Sequence, residues 1–195
     1  MHNFKALPYT SLSTGTTYHR PPQILPEHVS VDSLATDVMT DFTKVAAITM
    51  GPCATLADAN ERMIASGVRL LFVTDQYNNI MGILTYTDIS GERPMQYLRE
   101  HGGKREDIYL RDIMTLQDKL EVLHMVDVAN ARVGDIIETL KHVGRQHALV
   151  IDLDENKKQR VRGMFSTKQI SKQLGINFEA TEVAKTFAEL EAALG

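Results

Sequence analysis

The chain has 195 residues, 43% hydrophobic and 24% charged, with a formal net charge of −4. Such a length supports a buried core in one or two domains of a soluble globular protein, and the acidic balance argues against a general nucleic-acid binder. One cysteine, Cys53, excludes an internal disulfide and a thiolate metal cage. No apolar run approaches the ~20 residues that cross a bilayer, and no apolar signal core opens the chain, so a cytoplasmic location without membrane contact is expected.

Residues 1–35 read as an extended N-terminal arm. Pro8, Pro21, Pro22 and Pro26 interrupt any helix, and residues 11–17 are a polar stretch without periodicity. Tyr9, Tyr18, Ile24 and Leu25 are the apolar anchors by which the arm would wrap the body rather than stay a solvated tail.

From Thr36 the pattern becomes regular. Asp37-Val38-Met39-Thr40 leads into a strand expected over residues 45–49, which Gly51-Pro52 ends. Thr55 and Asp58 form a capping-box pattern opening a helix with Leu56, Ala59, Met63 and Ile64 on one face, and Gly67 stands where a left-handed C-terminal glycine belongs. Residues 68–73 are a dense aliphatic run that suits a buried strand. A loop over 75–79 returns the chain through residues 80–84 into Gly82-Ile83-Leu84-Thr85-Tyr86-Thr87-Asp88. There a strand runs straight into a helix, with a hydroxyl at the N-cap and a carboxylate three positions later.

The same order recurs. Asp112-Ile113-Met114-Thr115 follows Asp37-Val38-Met39-Thr40 by 75 residues, and Val133, Asp135 and Gly144 follow Leu56, Asp58 and Gly67 by 77. Gly163-Met164-Phe165-Ser166-Thr167-Lys168-Gln169 is a weaker copy of the first strand-to-helix stretch, 81 residues on, because the second hairpin is longer. Two copies of a β-α-β-β-α unit are the sequence signature of a duplication whose halves bury their apolar faces on each other. The division is an arm at 1–35, repeats at 36–93 and 111–175, a connecting helix and loop at 94–110, and a C-terminal helix at 176–195, opened by a capping box at Thr186 and Glu189.

Most of these residues have a structural reading as well as a functional one. Thr85 with Asp88, and Ser166 with Gln169, suit helix capping without any ligand, although a strand-to-helix turn with free N–H groups also suits a phosphorylated ligand. Lys157, Lys158, Arg160 and Arg162 read as cations of a solvated hairpin tip. The seven histidines, His142 and His147 among them, lack metal-ligand spacing, and Cys53 has no neighbouring base. No paired carboxylates, nucleophile elbow or phosphate-binding glycine loop is present, so no enzyme activity, metal or required cofactor is expected.

Two ordered units, each led by "Asp-aliphatic-Met-Thr" and closed by "Gly-aliphatic-x-Thr/Ser-x-x-Asp", with Gln169 in place of the aspartate in the second, resemble a tandem pair of CBS (cystathionine-β-synthase) domains, a stand-alone CBS-domain protein, over roughly residues 36–175. The resemblance implies an α/β fold in which two repeats pack through their sheets into one pseudo-two-fold module that dimerises. It also implies two clefts for an adenosyl effector, AMP, ADP, ATP or S-adenosylmethionine. Thr85 and Asp88 match the family's ribose and phosphate contacts. Adenine would lie against Ala47, Ile48 and Leu70, and Arg69 would either reach a phosphate or fill the cleft. In the second copy Ser166 matches, whereas Gln169 replaces the carboxylate and is a poorer partner for a diol. The resemblance implies a non-enzymatic regulatory sensor. The alternative is a constitutive dimeric scaffold with empty clefts and an unidentified protein partner. A transcription regulator is the weaker third reading, since no helix-turn-helix or basic stripe is present.

Overall fold

The computed structural model of the chain describes residues 10–17 and 24–176. The helix expected near Thr186, and Pro8, Tyr9, Tyr18, Pro21 and Pro22 of the arm, lie outside the described residues.

In chain order the strands are β1 (Thr40–Asp41), β2 (Thr49–Met50), β3 (Leu70–Thr74), β4 (Ile80–Thr85), β5 (Thr115–Leu116), β6 (Val122–His124), β7 (His147–Leu153) and β8 (Gln159–Ser166). The helices are α1 (Leu56–Ser66), α2 (Tyr86–Ser90), α3 (Arg93–His101), α4 (Leu110–Ile113), α5 (Met125–Val128), α6 (Val133–His142) and α7 (Thr167–Leu174). They build two four-stranded sheets, β2-β3-β4-β5 and β1-β8-β7-β6.

The sheets do not follow the sequence repeats strictly. β1, from the lead segment of the first repeat, pairs antiparallel with β8 of the second. β5, from the lead segment of the second, pairs antiparallel with β4 of the first. Each repeat thus donates an edge strand to its partner's sheet. A glycine in each closing motif makes room for this exchange. A Cβ on Gly163 would stand 2.5 Å from the Thr40 carbonyl oxygen and 3.1 Å from the Met39 sulfur. A Cβ on Gly82 would collide with the Thr115 carbonyl oxygen and meet the Met114 sulfur at 3.1 Å.

Each repeat has a core of its own, one around Leu56, Met63, Leu71 and Leu84, the other around Val133, Ile137, Leu140 and Phe165. A third cluster joins them: Leu70, Phe72 and Leu149 are buried together with Phe42, Ala47, Val122 and Met164 packed on them. Phe42 meets Phe72 edge-on, ring centroids 5.5 Å apart. The two repeats therefore pack through their sheets.

Some sequence expectations are corrected. Of the strand expected over 45–49, only Thr49 is extended and paired. Asp41 turns the chain directly after β1, its carbonyl accepting from the Lys44 and Val45 amides at 2.9 and 3.0 Å, so residues 43–47 are a loop until the Phe72 amide binds the Ile48 carbonyl at 2.9 Å. Leu56, Ala59 and Met63 are buried, but Ile64, about 100° further round α1, is 71% exposed. Ile24 is also exposed, and Leu25 is half-buried. Val29 and Val31 are the side chains by which this segment packs on the second core. Its backbone is tied there as well: Val29 N donates to Gln173 O at 3.0 Å, Val133 N to Ser33 O and Gly134 N to Val31 O, both at 2.9 Å.

Candidate ligand-binding cleft

A cleft of about 1160 Å³ opens between the repeats. One side is the first repeat: Thr40 and Phe42, Ile48 leading into β2, and Arg69 and Leu70 at the start of β3. The other is the second repeat: Gln146 and His147 at the start of β7, Ser166 at the end of β8, and Lys168, Gln169 and Lys172 on α7. Three cationic side chains line it, and among the described lining residues none is a carboxylate, although the chain as a whole carries a net −4.

Local structure positions several of these groups. Arg69 is exposed, its guanidinium stacked on the Tyr86 ring 4.8 Å from the centroid, and its carbonyl accepts from the Tyr86 amide at 2.8 Å. It stands at the mouth of the cleft rather than filling it. His147 is half-buried within electrostatic reach of Arg69 and Asp88. Burial first, then the Arg69 charge, push its pKa down to about 4 against the opposing pull of Asp88, so the ring is neutral at pH 7.

Ser166 departs from the capping-box expectation. It is the N-cap of α7 but makes no capping hydrogen bond with its side chain. Gln169 does not reach back to it; its Nε2 donates to Gln173 Oε1 at 2.8 Å. A neutral amide lacks the charge that draws a carboxylate to the orphan N–H groups of a helix start.

The first copy is different. Asp88 Oδ2 accepts from Thr85 N at 2.8 Å and Thr85 Oγ1 at 2.7 Å, and Thr85 Oγ1 accepts from Asp88 N at 3.2 Å, a complete capping box. The second carboxylate oxygen of Asp88 pairs with Arg93 Nη1 at 3.1 Å. That same nitrogen donates to Ile113 O at 2.9 Å and Thr115 Oγ1 at 3.0 Å. Thr85 and Asp88 do not line the large cleft, and both carboxylate oxygens are already engaged. Of the eight residues expected at a ligand, the structure brings Ile48, Arg69, Leu70, Ser166 and Gln169 together in this cleft. Ala47 packs behind it in the cluster between the sheets.

Several residues escape the sequence reading. Arg162 is not a solvated hairpin cation. It lies in β8 and holds Asp41 with two bonds, Nε to Oδ1 at 2.9 Å and Nη2 to Oδ2 at 3.1 Å, while its Nη1 reaches Asp152 at 3.1 Å. Its alternation with Gly163 in a strand was the available signal. Arg93 and Gln173 have no local signal, since their partners lie in other elements. Among the described residues no group of acidic, histidine and cysteine side chains is placed to hold a metal, and no helix is long and apolar enough to cross a membrane.

A protein-family model described as the CBS domain matches residues 34–93. Over those residues the chain is similar to a CBS domain. Solved structures extend the likeness to the fold of a CBS pair. An uncharacterized conserved protein from Pyrococcus horikoshii superposes with a TM-score of 0.53 at 19% identity, over 77% of this chain and 98% of that one. The CBS-domain protein ATU1752 from Agrobacterium tumefaciens gives 0.52 at 18%, over 73% and 94%. The CBS domain pair of protein MJ0100, solved with 5′-methylthioadenosine and S-adenosyl-L-methionine, gives 0.51 at 18%, over 73% and 96%. No curated protein matches the chain in sequence.

Proposed function

We propose that this CBS pair is a non-catalytic regulatory sensor whose large cleft takes an adenosine nucleotide, AMP, ADP or ATP, in preference to S-adenosylmethionine, and that it acts as a homodimer. The observation that carries the reading is the cleft itself: about 1160 Å³ shared by both repeats, with three cations and no carboxylate among its described lining residues. Small-molecule sites are concave, largely apolar and carry a few placed polar groups, and Phe42, Ile48 and Leu70 supply an apolar wall for a base.

Phosphate would be held by Arg69, by Lys168 in the first turn of α7 at its positive end, and by Lys172 one turn further along. The Gln169 carbonyl, which accepts no hydrogen bond among the described residues, suits a ribose hydroxyl. That the CBS pair of MJ0100 binds two adenosyl compounds supports the nucleoside part. The charge of the cleft favours phosphates over a cationic sulfonium, because like charges brought together out of bulk water repel.

Thermal denaturation of the full chain with each nucleotide and with S-adenosylmethionine tests this. A nucleotide at 100 times its dissociation constant should stabilise by about 2.7 kcal/mol. Addition of salt should weaken that effect as the phosphate contacts are screened. A larger effect from S-adenosylmethionine would overturn the phosphate preference. No effect from any of the four would leave the constitutive scaffold as the better reading.

A further inference from the structure

The wall of the cleft is wired to the segment that precedes the first repeat. Gln173 is 2% exposed, and its side chain is fully used. Its Oε1 accepts from Gln169 Nε2 at 2.8 Å, and its Nε2 donates to Pro26 O at 2.7 Å and Asp37 O at 2.9 Å. Its backbone carbonyl accepts from Val29 N at 3.0 Å. The orientation of the amide follows from these partners. Two carbonyls face one end, so that end is the NH₂, and only a donor at position 169 suits the other.

Gln169 lines the cleft, and the same side chain therefore touches the proposed ligand space and sets the amide that holds the chain at residues 26–37. We propose that Gln169 and Gln173 form an amide relay through which occupation of the cleft tightens the docking of residues 26–35. The ligand half of this statement rests on the nucleotide reading above. A ribose hydroxyl donating to the Gln169 carbonyl holds its NH₂ toward Gln173 and strengthens the chain of bonds, since polarised hydrogen bonds reinforce one another. The coupling is reciprocal: a docked segment pre-orients Gln169 for the ligand.

Hydrogen exchange of the full chain tests the relay with and without AMP. Glu at position 169 presents only acceptors at pH 7, so Gln173 must turn its NH₂ toward it and oppose its own oxygen to the Pro26 and Asp37 carbonyls. In the Gln169→Glu protein the Val29 region should exchange at least about tenfold faster, the equivalent of about 1.4 kcal/mol. In Gln169→Met, which neither donates nor accepts strongly, the increase should be smaller. The amides of β3 should be unchanged in both, which separates local release from global unfolding. Unaltered exchange at residues 26–35 in Gln169→Glu would overturn the relay whether or not any ligand binds. With AMP the unmodified chain should exchange more slowly at residues 26–35. AMP that binds by calorimetry without slowing them would overturn the coupling and leave the nucleotide reading standing. If AMP does not bind, the nucleotide reading fails for AMP and the relay stands or falls on Gln169→Glu.

Discussion

Asp41→Asn tests whether the exchanged lead strand is held by charge. The Asp41 side chain is 6% exposed, and among the described residues it accepts from Arg162 Nε and Nη2, at 2.9 and 3.1 Å, and from Thr43 N and Oγ1, at 2.9 and 2.7 Å. Arg162 and then Thr43 hold its carboxyl well below the ordinary value of 3.8, outweighing burial, and Arg162 is raised in turn. Asparagine keeps one acceptor oxygen but turns an NH₂ toward the Arg162 Nη2 donor. Breaking a buried pair costs about 3–5 kcal/mol. Here Arg162 is 29% exposed and retains Asp152, so the loss should be nearer 2–3 kcal/mol. Denaturant melts at pH 7 should show a lower midpoint at unchanged slope. The pH dependence has a definite sign. A depressed folded-state pKa stabilises above the unfolded value of 3.8 and loses that contribution as pH falls below it, so the gap between the two proteins should be constant from pH 5 to 8 and narrower by about 1 kcal/mol at pH 3. Equal stability at pH 7, or a gap that widens on acidification, would refute the reasoning.

Gly163→Ala should cost about 1–3 kcal/mol in the same melts, because its Cβ meets the backbone of β1 rather than a side chain that can move. Gly134→Ala in α6 is the contrast. Its nearest neighbours are at 3.5 and 3.7 Å, so the change should stabilise by about 0.5–1 kcal/mol through helix propensity. Asp88→Asn keeps an acceptor for the Thr85 cap and loses only the half-exposed Arg93 pair, so stability should fall by about 1 kcal/mol with nucleotide affinity by calorimetry unchanged. Sedimentation at tens of micromolar should give twice the 21.8 kDa chain mass, since Ile64 and Met95, 71% and 53% exposed, leave helix faces uncovered.

What the sequence reveals here is what local pattern controls. The Thr55–Asp58 and Thr85–Asp88 boxes and the left-handed Gly67 involve residues three or four apart, and each stands as the spacing indicates. The duplication was legible for the same reason, as ordered copies of local signals. The exchange of β1 and β5 was not, because a two-residue edge strand has no periodicity and its partner lies in the other repeat. The glycines of the closing motifs were its one trace, since a residue without a side chain inside a strand marks close approach of another backbone. The cleft was half legible. The residues that line it come partly from the motif copies, but the sequence places the charge that suits a ribose at Asp88. In the fold that charge is taken by Arg93 from α3, a contact that no spacing rule supplies.

The exchange also bears on how a cleft between two cores could signal. Thr40 lines the cleft, and the neighbouring Asp41 is bonded to β8 through Arg162, while β8 ends at Ser166 on the opposite wall. The turn leading to Thr40 carries the Asp37 carbonyl that Gln173 holds from α7. Both walls are therefore tied to one lead segment, by hydrogen bonds with little slack and through side chains that are mostly buried. A ligand that draws the walls together changes the geometry around that segment, and the chain at residues 26–35 is its direct N-terminal extension. Packed interfaces of this kind shift between discrete arrangements rather than deform smoothly. At the Gln169–Gln173 pair, turning one amide exchanges a donor for an acceptor without displacing backbone.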